Sequence, residues 1–211
     1  MNRPVGRVLA AASHTIGLTP NQVSVISAAF TFTGIVLLAT VPPSIWLGIG
    51  VWLLLALGYA WDSADGQVAR LRGGGSLAGE WLDHIFDSAK LVSLPIAVAI
   101  GWYRFYDLPD VAWLLVPLGF AIVSTVTFFG MILNDLLRGK RGVPQAAESG
   151  GSSPLRSVLG LPTDYGVWCL SFVLWGFPPV FMVVYALLAL AALVYLIAAL
   201  AVWFRKMSVL N

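Results

Sequence analysis

The stretch Asp62-Ser63-Ala64-Asp65-Gly66-Gln67-Val68-Ala69-Arg70 and, eight residues on, Gly79-Glu80-Trp81-Leu82-Asp83-His84-Ile85-Phe86-Asp87 decides how the rest of the chain is read. It follows an uncharged apolar run from Ile45 to Trp61. A charged side chain inside a bilayer costs about 2.5–3.5 kcal/mol on insertion scales, so four uncompensated acids would cost on the order of 10 kcal/mol. Something cationic must offset them. Mg2+ or a similar hard ion suits the task, because it prefers carboxylate and phosphate oxygens.

The spacing carries more than the count. Asp62 and Asp65 are three apart and Asp83 and Asp87 four apart, so each pair projects from one face of its own helix. Gly73-Gly74-Gly75 between them supplies the turn. Asp65 and Asp83 are equally distant from Gly74 in sequence, and Asp62 and Asp87 nearly so. At about 1.5 Å per residue, an antiparallel hairpin would bring the inner pair to one level, roughly 13 Å from the turn, and the outer pair one turn deeper. Such a carboxylate cage is suited to two divalent ions a few ångströms apart, an arrangement that stabilises the attacking and leaving oxygens of a phosphoryl displacement.

Composition places the chain in a membrane independently of the motif. Hydrophobic residues make up 59% and charged residues 10%, with a mean hydropathy of +0.86. The expected fold is an all-α integral membrane bundle of six transmembrane helices, over about 20–40, 44–70, 76–102, 111–136, 158–177 and 179–204. Pro162 and Asp164 interrupt the start of the fifth, while Pro42-Pro43 and Pro178-Pro179 mark short turns on the side opposite the acids. Six spans put both termini and the second and fourth connections on one side. That side carries Arg3, Arg7, Arg70, Arg72, Arg138, Lys140, Arg141, Arg156, Arg205 and Lys206, against only Arg104 on the other. The positive-inside rule therefore places the termini and the acidic site at the cytoplasmic face of the cell membrane. The net charge of +2 hides this asymmetry and gives no sign of nucleic acid binding.

Residues 1–18 lack the apolar core and cleavage site of a signal peptide. Arg3 and Arg7 with Val8, Leu9, Ala12 and Ile16 at helical spacing predict an amphipathic helix on the inner membrane surface, ahead of a catalytic domain over 19–206. The single cysteine, Cys169, lies in an apolar run, which excludes an intrachain disulfide and a thiolate metal cluster. Gly142 to Ser153 is a Gly/Ser/Ala-rich connection.

The full pattern, D-x2-D-G-x2-A-R-x8-G-x3-D-x3-D, resembles the signature of the CDP-alcohol phosphotransferase (CDP-alcohol phosphatidyltransferase) family, with every fixed position filled. Leu18-Thr19-Pro20-Asn21 resembles the segment that opens the family's first transmembrane helix. The resemblance implies that Asp62, Asp65 and Asp83 bind Mg2+ or Mn2+, with two ions expected, and that Asp87 is a fourth ligand or the general base. It implies that Gly66, Ala69, Arg70 and Gly79, with Asp62 and Asn21, surround the CDP moiety, and that the chain forms a homodimer. The implied reaction belongs to phospholipid biosynthesis: a substituted phosphate passes from a CDP-alcohol, CDP-diacylglycerol being the expected donor, to a polar hydroxyl acceptor, and CMP is released. Arg70 would bind the diphosphate as a fixed cation.

The acceptor is harder to read. Arg138, Lys140, Arg141 and Arg156 are suited to a phosphorylated acceptor such as glycerol phosphate or inositol phosphate. They serve equally well as cytoplasmic anchors of two helix ends. Members that make phosphatidylglycerol phosphate or phosphatidylinositol phosphate end the fourth span with an Ala-Arg-Ala-Glu-like stretch, where this chain has Ile132-Leu133-Asn134-Asp135-Leu136-Leu137-Arg138. His84, next to Asp83, is expected to point away from the acids, and Glu80 to sit at a solvated rim or behind them. Lys90, with Arg70 and Arg72, is a candidate partner for the acids as plain helix-end charges. Two other classes also use buried acids. An ion-coupled transporter would not need the glycines, alanine and arginine at fixed offsets, and no internal repeat accompanies them. A Mg2+-dependent intramembrane prenyltransferase would carry two separated Asp-rich clusters in a longer chain.

Overall fold

The computed structural model describes residues 3–142 and 164–209, all of it helix, turn or short connection. Helix α1 (Arg3–Thr15) precedes α2 (Pro20–Thr40), α3 (Ile45–Leu71) and α4 (Leu77–Phe105). A 3-10 turn (Val111–Leu114) leads into α5 (Leu115–Lys140). After the connection come α6 (Tyr165–Ser171), continued as a 3-10 turn (Phe172–Gly176), and α7 (Pro178–Ser208).

Local chemistry sets the helix starts. Thr19 caps α2 in a capping box with Gln22, and Pro20 occupies the first turn where its missing N–H costs nothing. Ser44 caps α3 and Ser76 caps α4. Gly73 and Gly74 adopt φ of +95° and +131°, which a side chain would resist, and so close the α3–α4 turn. Asp164, which breaks the fifth apolar run in the sequence, caps α6 by accepting from the N–H groups of Gly166 and Val167.

Five helices, α2, α3, α4, α7 and α5 with its leading 3-10 turn, are long and apolar enough to cross a membrane. The chain is thus a multi-pass membrane protein by the length and composition of its helices. The expected fifth span differs. Its described part, Tyr165–Gly176, is shorter than a full crossing, and residues 158–163 of the expected span lie outside the described residues. Helix α1 lies where an N-terminal helix is expected and packs on α3 through Gly6, Ala10 and Ser13, which are buried. Val5, Val8 and Ile16 are left exposed.

The hairpin is built more openly than the sequence predicts. Helix α2 packs against both α3 and α4, while α3 and α4 make little direct contact with each other. Ser24, Ser27 and Thr31 form a buried polar stripe on α2, and the Ser27 hydroxyl donates to the Gly58 carbonyl of α3 at 2.8 Å. Removed from the acids, an aromatic core of Trp102, Tyr106, Phe120, Phe172, Trp175, Phe181 and Tyr185 binds α4, α5, the 172–176 turn and α7 together. The Tyr106 hydroxyl donates to the Trp175 carbonyl at 2.7 Å, whereas the indole N–H groups of Trp102 and Trp175 are buried without a hydrogen-bond partner among the described residues. Val51 and Leu55 of α3 and Leu94 and Val98 of α4 belong to the same buried core.

Candidate metal and nucleotide site

The last turns of α3 and the first turns of α4 supply the acids. One oxygen each from Asp62, Asp65 and Asp83 lie within 4.8 Å of one another, close enough to share one cation. These donors are all carboxylates from two helices, a set that fits Mg2+ or Mn2+ and not a soft metal. Asp65 is buried, and the Ser24 hydroxyl of α2 donates to its Oδ2 at 2.6 Å. The N–H of Gly66 donates to its Oδ1 at 2.5 Å. Helix α2 therefore orients this carboxylate, a contact that the spacing of the acids could not reveal.

The second pair behaves differently from a free fourth corner. Lys90, buried one turn beyond Asp87, places its Nζ 2.6 Å from Asp87 Oδ1 and 2.7 Å from Asp62 Oδ1. Far from being a helix-end charge, it is an internal cation between α3 and α4. His84 also departs from expectation. A ring nitrogen of His84 lies within 4.8 Å of oxygens of Asp83 and Asp87, so the residue joins the acids instead of pointing away. Its Nε2 is 3.9 Å from Glu80, and its ring meets Phe128 of α5 edge-on at 6.2 Å between centroids.

A cavity of about 690 Å³ opens beside Asp65 and Asp83. Of the six positions expected around the nucleotide, Asn21, Gly66, Ala69, Arg70 and Gly79 line it, and Arg72 joins them; the sixth, Asp62, is not in its wall, nor are Asp87 and Lys90. The two signature glycines differ in what surrounds them. A Cβ at Gly79 would stand 3.1 Å from Asn21 Oδ1 and 3.2 Å from Ser76 Oγ, so a side chain there would press on α2 and on the α4 cap. A Cβ at Gly66 would meet nothing nearer than Arg70 Nη1 at 4.0 Å. No protein atom explains Gly66, whereas a ligand in the cavity would.

The cationic acceptor candidates lie elsewhere. Arg138 lines a separate cavity of about 140 Å³ with Asn134, Asp135, Trp203 and Lys206, at the ends of α5 and α7. Lys140 and Arg141 are exposed, and Arg156 and most of the Gly142–Ser153 connection lie outside the described residues. None of the described three borders the large cavity. A third cavity, about 330 Å³ and largely apolar, lies among α4, α5, α6 and α7, with Leu91, Phe128, Tyr165 and Tyr195 in its wall.

An open helical pair with carboxylates placed to hold a divalent ion beside a cavity of about 690 Å³, carried on helices long enough to span a membrane, fits a membrane enzyme of phosphoryl transfer. Residues 17–205 match the family description of the CDP-alcohol phosphatidyltransferases, and the chain belongs to that family. Membership sets aside the transporter and prenyltransferase readings. Among curated proteins, the chain is similar to the phosphatidylinositol phosphate synthase of Corynebacterium glutamicum, 35% identical over 90 residues, which are 43% of this chain and 38% of that protein. It is also similar to the phosphatidylinositol phosphate synthase of Mycobacteroides abscessus, 33% identical over 98 residues, 44% of this chain and 43% of the relative. The chain thus spans about two-fifths of the length of each of these relatives. The fold is shared with the crystal structure of Mycobacterium tuberculosis phosphatidylinositol phosphate synthase with CDP-DAG bound, at a TM-score of 0.64 and 20% identity over 97% of this chain and 94% of that one. The same synthase with manganese and citrate aligns at a TM-score of 0.59 and 22% identity, covering 97% and 89%.

Proposed function

We propose that the protein transfers a phosphatidyl group from CDP-diacylglycerol to the hydroxyl of a polar acceptor and releases CMP. The observation that carries this reading is the convergence of Asp62, Asp65 and Asp83 at the edge of a 690 Å³ cavity whose wall contains Asn21, Gly66, Ala69, Arg70 and Gly79. CDP-DAG bound to a synthase of the same fold supports the donor, and manganese in that synthase supports a divalent cofactor.

Asp62, Asp65 and Asp83 hold Mg2+ or Mn2+, which when bound offsets the charge that grows on the departing CMP phosphate. The chain's own residues do the rest. Ser24 fixes the Asp65 carboxylate by donating to Oδ2, so the ligand is oriented before anything binds. Arg70 and Arg72 on the cavity wall face the diphosphate as fixed cations. Gly66 leaves room for the nucleotide, and Gly79 lets Asn21 approach it. Asp87 accepts the proton of the acceptor hydroxyl as its oxygen bonds to phosphorus and the bond to the CMP oxygen breaks.

The acceptor is a phosphorylated alcohol such as inositol phosphate or glycerol phosphate, in keeping with the names of the curated relatives. Arg138, Lys140, Arg141 and Arg156 receive its phosphate if the connection after α5 brings them towards the cavity. The enzyme sits in the cell membrane with its site and both termini cytoplasmic, supported by the ten-to-one distribution of Arg and Lys across the connections. The 158–177 segment completes a six-helix catalytic domain over 19–206, residues 1–18 lie on the membrane surface, and the chain works as a homodimer.

Purified protein supplied with CDP-diacylglycerol tests the reading. CMP should appear only with Mg2+ or Mn2+ and one of a panel of inositol phosphate, glycerol phosphate, inositol, serine and a polyol phosphate. Metal-dependent CMP release from none of them would refute the assignment.

A further inference from the structure

The cavity beside Asp65 and Asp83 carries one acid that the metal centre does not use. Ser76, Glu80 and Asp83 follow one face of α4 from its cap inward, and all three are in the cavity wall. Asp65 and Asp83 are accounted for as metal ligands, whereas Glu80 is not among the carboxylates that converge with them. Its side chain is 63% exposed, and its one ion-pair partner among the described residues is His84 Nε2 at 3.9 Å. An exposed pair at that distance contributes little, so the fold does not require a carboxylate here.

Charge sets this position apart. A cavity that takes a diphosphate gains from Arg70 and Arg72 and loses from an extra carboxylate, because like charges brought together oppose binding. The loss is offset when the occupant brings hydrogen-bond donors to the acid. The nucleotide half of a CDP-alcohol has two kinds of donor, the vicinal hydroxyls of its ribose and the amino group of its cytosine. Level chooses between them. Glu80 precedes Asp83 by three residues, about 4.5 Å along α4 towards the α3–α4 turn. A diphosphate held at the level of Asp65 and Asp83 is followed at once by the sugar. The base lies a sugar's length further on, level with Ser76 and Gly74-Gly75, which offer no carboxylate. Two vicinal hydroxyls also match the two oxygens of one acid, the pairing by which dinucleotide-binding folds hold a ribose.

We infer that Glu80 reads the ribose of the donor nucleotide, its carboxylate accepting from the 2′- and 3′-hydroxyls, and so selects a ribonucleotide over its 2′-deoxy counterpart. The inference rests on the reading of the cavity as the CDP site and adds to it a residue that the family signature does not fix. Glu80 touches no reacting atom; it is a specificity residue.

Calorimetric titration of the purified full-length protein in lipid nanodiscs, with Mg2+ present and free CDP, 2′-deoxy-CDP and UDP as probes, tests this without turnover. The wild-type protein should bind CDP about 10–100-fold more tightly than 2′-deoxy-CDP, the range for a lost hydrogen bond to a charged group. Glu80→Ala should bind the two equally and keep the wild-type ratio of CDP to UDP, because the base is read elsewhere. Glu80→Gln, which keeps an acceptor oxygen without the charge, should fall between. Equal binding of CDP and 2′-deoxy-CDP by the wild-type protein would overturn the inference and leave the nucleotide site standing. So would a Glu80→Ala protein that retains the ribose preference, or one that loses the ratio of CDP to UDP instead, which would put the cytosine amino group at Glu80. No binding of CDP at all would overturn the functional reading as well. The wild-type comparison stands even if a variant fails to fold.

Discussion

Gly66→Ala separates the cavity's purpose from the fold's needs. Gly66 lies inside α3 with ordinary helical backbone and is exposed to the cavity, so replacing it with alanine removes the entropic weakness of a glycine in a helix, worth about 0.5–1 kcal/mol. The new methyl group meets nothing closer than Arg70 Nη1 at 4.0 Å, an ordinary van der Waals distance, and no repacking cost offsets the gain. For a chain of 211 residues this predicts a rise in Tm of roughly 1–4 °C in detergent without substrate. The same methyl group projects into the cavity proposed to hold the CDP moiety, where one misplaced carbon costs about 1–3 kcal/mol, or about 10–200-fold in kcat/KM for the CDP-lipid. Thermal unfolding followed by tryptophan fluorescence, together with CMP release against CDP-diacylglycerol concentration, measures both sides. A variant that is more stable and much less active supports the argument. Wild-type kcat/KM in a stable Gly66→Ala protein would mean that the nucleotide does not lie against α3 at this position, and the cavity would need another occupant.

Asp62→Asn, Asp65→Asn and Asp83→Asn should each abolish metal-dependent turnover in a folded protein, and relief of like-charge repulsion should raise its Tm in the absence of metal; wild-type activity in any one removes that residue from the metal centre. Ser24→Ala deletes the 2.6 Å hydrogen bond that orients Asp65 and should weaken Mn2+ binding by about 10–100-fold, read by titration of the Mn2+ electron paramagnetic resonance signal; unchanged affinity would mean that α2 does not hold the ligand. Asp87→Asn should lower the rate by about 10²–10⁴-fold with Mn2+ affinity intact, and recovery at high metal concentration would make Asp87 a ligand and not the base. In intact cells, a cysteine at position 74 should react only with a reagent delivered inside and one at position 107 only with a reagent outside; labelling of position 74 from outside would reverse the orientation.

What the sequence made legible follows from which interactions are local. The spans expected over 20–40, 44–70 and 76–102 correspond to helices at Pro20–Thr40, Ile45–Leu71 and Leu77–Phe105, because a long apolar run is a local signal; the last helix runs three residues further than its apolar stretch suggested. The convergence of Asp62, Asp65 and Asp83 was legible because helical periodicity and a glycine turn fix their levels. The separation of α3 from α4 was not. It depends on α2 packing against both, a long-range choice made by Ser24, Ser27 and Gly58, whose roles appear only once three helices are assembled. His84 lies near Asp83 and Asp87 of its own helix while its ring packs edge-on against Phe128 of α5, a contact between helices that no local pattern encodes. The start of the 158–177 segment reads ambiguously because Asp164 looks like an interruption of a span until it is seen accepting from the N–H groups of Gly166 and Val167.

Lys90 carries this reasoning furthest. In sequence it is one basic residue at the end of a pattern complete without it, three positions past Asp87, where an (i, i+3) pair is an ordinary surface contact worth a few tenths of a kcal/mol. Its contact with Asp62 spans 28 residues and two helices, and no local rule predicts it. Burial changes the meaning of the pair. A buried, doubly bridged ammonium cannot be removed without leaving its carboxylates uncompensated, a change that costs about 3–5 kcal/mol for a buried pair. Lys90 therefore ties α3 to α4 by bridging Asp62 and Asp87, and it offsets part of the negative charge that the four acids bring together.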